Sequence, residues 1–180
     1  MPGSGKSTVG RHLARHLKLR FTDSDHEIEE RIGMPVRSFF ETHGEQAFRD
    51  LEQEVIDELS RRGDGVLATG GGTVLRQANR DALRERCRVI YLRTTPDDLF
   101  RRLRHDTQRP LLQVADPQRR LRELFRERDP LYRQAAHFTV EAVRPSVSTL
   151  VNMVMMQLEL DGHWPAGGLE PPQPPSGQAA

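Results

Sequence analysis

Apolar positions recur along this chain with two periods, and their succession outlines a fold. Val9, Leu13 and Leu17 stand at helical spacing and predict a helix from Ser7 to Leu17. The stretch LRFTDSD, 19–25, predicts a short strand ending in carboxylates. His26 to Arg31 reads as a helix halted by Gly33, Met34 and Pro35. Phe48, Leu51, Val55 and Leu59 fall on one face of a second helical run. GVLATGGG, 65–72, predicts an apolar strand entering a glycine turn, followed by a short helix around Asp81 to Glu85. RVIYLRT, 88–94, predicts a third strand. A helix then starts with Thr95 as cap, Pro96 in the first helical position, and Asp97 and Asp98 facing the helix dipole. Residues 104–117 show little periodicity and predict a mobile loop. Gln118 to Arg126 resumes a helix, and HFTVEA, 137–142, predicts a fourth strand. Ser146 to Leu160 closes the pattern, with Val147, Leu150, Val151, Val154 and Leu158 on one face.

Strands that alternate with helices imply a parallel sheet covered on both faces, a three-layer α/β/α arrangement. The pattern fills residues 1–161 as one domain, and no internal repeat interrupts it. From Gly162 to Ala180 the chain turns rich in Pro and Gly, with Glu170 its only acidic or basic residue, which predicts a disordered tail.

Charge changes this picture little: 27 basic residues face 26 acidic ones, which argues against a broad nucleic-acid or membrane surface driven by charge. No apolar run approaches membrane-spanning length. Only Lys6 and Lys18 among the basic residues are lysines, so a lysine inside a glycine-rich segment stands out. Cys87 is the sole cysteine, which rules out an internal disulfide and fits a reducing cytoplasm.

That lysine lies in MPGSGKST, the end of a G-x-x-x-x-G-K-S/T phosphate loop whose first glycine would fall one place before Met1. Gly3 and Gly5 let the backbone approach a phosphate, the following helix aims its positive end at it, Lys6 reaches the outer phosphates, and Ser7 offers a hydroxyl to Mg²⁺. A flexible Gly/Ser-rich terminus is the plainer reading. Asp23 and Asp25 close a predicted strand, where ligands bind in open α/β sheets. Strand alternation would set them on one side about 7 Å apart. An acidic turn capping the next helix explains them equally. Gly70, Gly71 and Gly72 suit a backbone that approaches a ligand closely, since a tight turn needs only one glycine. Arg49 and Arg128 could fork a carboxylate, and Arg109 in the aperiodic loop could neutralise a moving phosphoryl group; solvated surface arginines are the alternative for each. His12 and His16 share an i, i+4 spacing, but neither the Glu after His12 nor a third ligand of a zinc site is present.

Taken in order, GSGKST, DSD, GEQAFR, GGG, RPLL and RDPLYR resemble the shikimate kinases from Pro2 to about Leu160. The resemblance implies the P-loop nucleoside-monophosphate-kinase fold, with a five-stranded parallel sheet. It implies transfer of the ATP γ-phosphoryl group to the 3-hydroxyl of shikimate by a cytoplasmic monomer. Gly3, Ser4, Gly5, Lys6, Ser7 and Thr8 would hold the nucleotide phosphates, and Ser7 and Asp23 the Mg²⁺. Asp25 would bind the shikimate hydroxyls and act as base. Arg49 and Arg128 would grip the shikimate carboxylate beside the amides of Gly70, Gly71 and Gly72. Arg109 would be the lid arginine, and Arg102 and Arg144 would lie near the adenine. Gluconate kinase, another small P-loop kinase, is the nearest alternative enzyme, and an inactive P-loop binding protein an alternative of another class. In the family a short apolar strand at the centre of the sheet leads into the phosphate loop. None precedes Met1, so the expectation is a start assigned too late, and a polypeptide beginning at Met1 that is poorly stable and weakly active.

Overall fold

The computed structural model describes residues 1–63, 65–103, 114–142 and 146–162. Helix α1 (Lys6–Leu17) leads to β1 (Phe21–Asp23), α2 (Ser24–Ile32) and α3 (Val36–Arg61). Then come β2 (Val66–Ala68), a 3₁₀ turn (Thr73–Leu75), α4 (Gln77–Arg86), β3 (Ile90–Arg93), α5 (Pro96–Leu103), α6 (Pro117–Ala135), β4 (Phe138–Glu141) and α7 (Val147–Leu160). The four strands fall where the alternating pattern puts them, each shorter than its apolar run. Helix α3 is broken at Gly44, whose backbone (φ 81°, ψ 170°) leaves the helical region. Helix α6 runs well past Arg126 and carries Pro130 in its interior. A proline there removes one backbone hydrogen bond; burial of Leu121, Leu124, Tyr132 and Ala135 holds the helix together across it. Thr95 caps α5 as expected, its hydroxyl accepting from the Asp98 N–H at 3.2 Å. Ser146 caps α7 in the same way, through the Thr149 N–H at 3.1 Å.

Strands β1 and β2 pair in parallel, as do β3 and β4, but the two pairs form separate sheets. A cavity of about 730 Å³ lies between them, lined by Val66 and Leu67 of one pair and by Ile90 and Leu92 of the other. Both inner edges present backbone groups to this space. The Val66 N–H donates to Arg20 of the β1 side at 2.8 Å, so the alternation of the ladder turns Leu67 toward the cavity. On β3, the carbonyls of Val89 and Arg93 accept from the β4 side, which turns Ile90 and Leu92 inward. The gap thus lies between two parallel strand edges, and Met1 and Lys6 also line it.

Helices cover both faces. Val9 and Leu13 of α1 pack with Leu150, Val151 and Val154 of α7 against Leu92 and Val140. On the other face Leu99, Leu121, Leu124 and Tyr132 pack against Tyr91. A third cluster, Ile28, Phe48, Val55 and Leu59, joins α2 to α3 beside Leu67. Helix α7 ends in a turn at Asp161 and Gly162. Arg109, Arg144, most of the 104–117 loop and the tail beyond Gly162 lie outside the described residues.

Candidate active site

The phosphate loop wraps tightly ahead of α1. Gly5 caps this helix with φ at 88°, a left-handed conformation that side chains resist. The cap supplies no side-chain acceptor and the first turn holds no acid, as suits a helix start that faces an anion. Lys6 folds back over the loop, its Nζ donating to the Met1 carbonyl at 3.2 Å. Ser4 is buried and its hydroxyl finds no partner among the described residues, while Thr8 is exposed.

The Ser7 hydroxyl donates to Asp23 Oδ2 at 2.6 Å. Asp23 Oδ1 meanwhile accepts from the Asp25 N–H at 3.1 Å and caps α2. One carboxylate thus serves as helix cap, the plainer reading of the acidic pair, and also as partner of the phosphate-loop serine. The strand-alternation argument fails for Asp25: β1 ends at Asp23, and Asp25 reaches the site from the first turn of α2. Asp25 is exposed as a residue, yet its carboxylate lies close against Gly70. Partial withdrawal from water, then the charges of Asp23 and Glu52, push its pKa up to about 6, with Lys6 pulling the other way.

Gly70, Gly71 and Gly72 follow β2, and none of them has a positive φ. Close approach explains them instead. A Cβ on Gly70 would collide with the Asp25 carboxylate, and one on Gly72 with the Arg49 guanidinium. The Gly70 N–H donates to the buried Ser24 hydroxyl at 3.0 Å, which fixes the start of the segment.

Arg49 projects from α3, only 13% exposed, its guanidinium 5.3 Å from the Phe48 ring centre. Glu52, one turn on and 1% exposed, accepts from Arg49 Nη1 at 2.6 Å and from the Thr73 hydroxyl at 2.8 Å. Sequence reading passed over Glu52. Its signal was a carboxylate four places after Phe48 and three before Val55, on the apolar face of α3. Arg128 comes from α6, across the cleft. Its Nη1 donates to the Gly71 carbonyl at 3.0 Å, and its buried Nε has no hydrogen-bond partner among the described residues. Arg102 of α5 donates to the Ala142 carbonyl at 2.9 Å, at the far end of β4. The structure thus gathers Asp25, Arg49, Arg128 and the three glycines beside the phosphate loop. It leaves His12 and His16 on the opposite side of α1 with Arg15, and no cluster of three metal-binding side chains occurs among the described residues.

The family model for shikimate kinase matches residues 2–159. An enzyme named shikimate kinase from Paracidovorax citrulli is 58% identical over 177 residues, covering 97% of this chain and 93% of the relative. Another of that name, from Ralstonia nicotianae, is 59% identical over 89% of this chain and 84% of its own length. Among solved structures, the shikimate kinase of Acinetobacter baumannii in complex with shikimate superposes with a TM-score of 0.81 at 44% identity, covering 89% of each chain. The shikimate kinase of Aquifex aeolicus superposes with a TM-score of 0.79 at 30% identity, covering 93% of this chain and 96% of that one. With the phosphate loop, the glycine segment and two converging arginines in one cleft, and with these matches spanning nearly all of the sequence, the chain belongs to the shikimate kinase family.

Proposed function

We propose that the chain transfers the γ-phosphoryl group of ATP to the 3-hydroxyl of shikimate, giving shikimate 3-phosphate and ADP. The observation that carries this reading is the convergence of Arg49 and Arg128, from two different helices, on the glycine segment that Asp25 also overlies. A guanidinium fork binds a carboxylate through parallel N–H donors. Glu52 holds Arg49 Nη1 at 2.6 Å, while the exposed Glu45 accepts from its Nε and Nη2 at 3.4 and 3.3 Å, long contacts that a substrate carboxylate would replace; the Nε–H of Arg128 is a buried donor of the same kind. Asp25 then stands where a ring hydroxyl of that acid would lie.

In the reaction the substrate oxygen attacks the γ-phosphorus, the bond to ADP breaks, and Asp25 takes the hydroxyl proton. Lys6 and the N–H groups of Gly3 to Thr8 hold the phosphates in line. Ser7 and Asp23 fit Mg²⁺: both offer hard oxygens, and a small hydrated cation needs only one or two protein ligands beside the phosphates. Bound there, Mg²⁺ would neutralise charge on the phosphate oxygens. Arg109 would add a cation at the transferred phosphoryl group, and Arg102 and Arg144 would flank the adenine. The working unit is residues 1–161, a cytoplasmic monomer, with the 162–180 tail dispensable. Among the described residues no helix is long and apolar enough to cross a membrane.

The test is ADP release by the purified chain with Mg²⁺ and ATP, given shikimate or gluconate. Turnover with shikimate at least about 100-fold above gluconate is expected: both acids offer a carboxylate to Arg49 and Arg128, but the flexible open chain of gluconate does not hold a hydroxyl at Asp25 as a ring does, and such misplacement costs about 100-fold. Comparable turnover overturns the reading. The split sheet favours a second outcome, binding without turnover, which calorimetric shikimate binding with no ADP release would establish.

The raised pKa of Asp25 sets a pH limb. The base works only when ionised, so kcat/KM falls as pH drops through about 6 in the free enzyme. The linked effect on stability has the opposite sense. Because the folded-state pKa lies above the ordinary 3.8, the contribution of Asp25 to stability is full below that value and is lost as pH rises through about 6. The melting temperature of Asp25→Asn, measured against the parent, therefore gains between pH 4 and pH 7. A difference that stays flat across that range refutes the assignment.

A further inference from the structure

We propose that Tyr132 is a positioning residue for the acceptor: its hydroxyl fixes the peptide between Gly71 and Gly72 and so sets the direction of Arg128. This rests on the reading of the cleft as the shikimate site.

Tyr132 donates to the Gly71 carbonyl at 2.6 Å, and Arg128 donates to the same oxygen at 3.0 Å. Two donors use both lone pairs of a carbonyl. The peptide is planar and trans, so pinning the carbonyl also fixes the Gly72 N–H on the opposite side. Glycine on both sides of that peptide gives it no intrinsic preference. The Tyr132 hydroxyl therefore supplies a constraint that the local chain lacks.

Tyr132 is itself held rigidly. Its ring stacks on Tyr91 of β3, with centres 4.8 Å apart. The Tyr91 hydroxyl donates to Asp129 at 2.9 Å, and Asp129 also accepts from Arg93 at 3.0 Å and Arg133 at 2.8 Å. This cluster locks one turn of α6 to β3, and Arg128 lies in that turn. Burial pushes the Tyr132 hydroxyl up to about 12, so it stays a neutral donor across the working pH range. Pro2 packs on the other side of Gly71, 3.3 Å from where a Cβ would stand. The Gly71 peptide is thus the joint between the phosphate loop and the arginine-bearing helix.

Tyr132→Phe keeps the ring and its stack and removes only the donor. Tyr91→Phe is the matched control: it keeps the same stack and removes only one of three donors to Asp129, so Arg93 and Arg133 still hold the turn that carries Arg128. The expected result is a KM for shikimate raised about 5- to 20-fold in Tyr132→Phe, with kcat and the KM for ATP within about twofold. Tyr91→Phe, with a similar change in melting temperature, leaves the KM for shikimate within about twofold. Equal KM values in both variants, or a shift in both substrates that tracks melting temperature, overturn the proposal. A substrate-free crystal structure of Tyr132→Phe separates this from the reading of the cleft. The peptide at Gly71 should take more than one orientation there, whichever acid the cleft accepts, and a single unchanged orientation overturns the proposal on its own.

Discussion

Asp25→Asn lowers shikimate turnover by about 10²- to 10⁴-fold while the affinity for ATP stays within about twofold. The size follows from general-base catalysis, which contributes about that factor when the base is within reach of the proton. The selectivity follows from position. Asp25 stands at the first turn of α2 over Gly70, whereas the phosphate loop is held by Gly5, Lys6 and the Ser7–Asp23 contact. Arg49→Ala has the same selectivity for another reason, since it removes half of the carboxylate grip. It also strands Glu52, which is 1% exposed and loses its charged partner. Breaking a buried pair costs about 3–5 kcal/mol. Arg49→Ala alone therefore unfolds at a lower temperature, and adding Glu52→Gln recovers stability without recovering turnover. Nucleotide titration, steady-state kinetics and thermal unfolding of the single and double variants check these outcomes. Lost ATP affinity in a folded Asp25→Asn protein removes Asp25 from the acceptor side.

Extending the chain ahead of Met1 by about five apolar, β-branched residues ending in glycine raises the melting temperature by about 10 °C or more, and raises turnover with it. The cavity between β2 and β3 carries two inward edges, at Leu67 and at Ile90 and Leu92, with apolar clusters above and below. A parallel strand placed there pairs with both edges and buries side chains on both faces. Each apolar side chain buried contributes about 1.5–3 kcal/mol and each hydrogen bond about 1 kcal/mol. Ordering the backbone costs about 1–2 kcal/mol per residue. The balance favours insertion by several kcal/mol, and a chain of this size gains roughly 2–4 °C per kcal/mol. The added strand also anchors the phosphate loop from its N-terminal side, where Lys6 now rests on the Met1 carbonyl. The control is an extension of equal length made of Gly and Ser. Equal melting temperature and equal turnover for the two extensions would show that the cavity does not accept a strand.

The fold was legible where one side chain decides one local question. Thr95 before Pro96 marked the start of α5, and Ser146 marked that of α7, because a hydroxyl at a helix start has a local backbone partner. The extent of α6 was not legible. Pro130 is a local stop signal, and what overrides it is burial of Tyr132 and Ala135 against elements far away in sequence. The 3₁₀ turn after the glycines was invisible for a related reason. It is pinned from the side by Asn79, whose amide donates to the Thr73 carbonyl at 3.0 Å, and by Glu52. For the candidate site, motifs named Asp25, Arg49, Arg128 and the glycines, but not why the glycines are three. That reason is the passage of Asp25 over Gly70, of Pro2 against Gly71 and of Arg49 over Gly72, groups that sequence spacing does not bring together.

The seam between the half-sheets has a mechanical meaning. Asp25, Arg49 and the glycine segment ride on the β1–β2 half, whereas Arg102 and Arg128 ride on helices packed against the β3–β4 half. A continuous ladder of backbone hydrogen bonds resists shear along the strands. Across this seam the halves are joined instead by helix packing, α1 on α7 and α4 on α6, and by the donors of Arg128 and Tyr132 on Gly71. Side-chain packing is softer to sliding than a ladder is, so this seam resists shear less than a continuous sheet would. In-line transfer tolerates little of that motion, since reacting atoms must meet at about 3–3.5 Å. A slip of about 0.5 Å between the halves is already enough to spoil such a geometry. Such slippage leaves each substrate bound normally when measured alone and shows itself only as a slow step once both are bound.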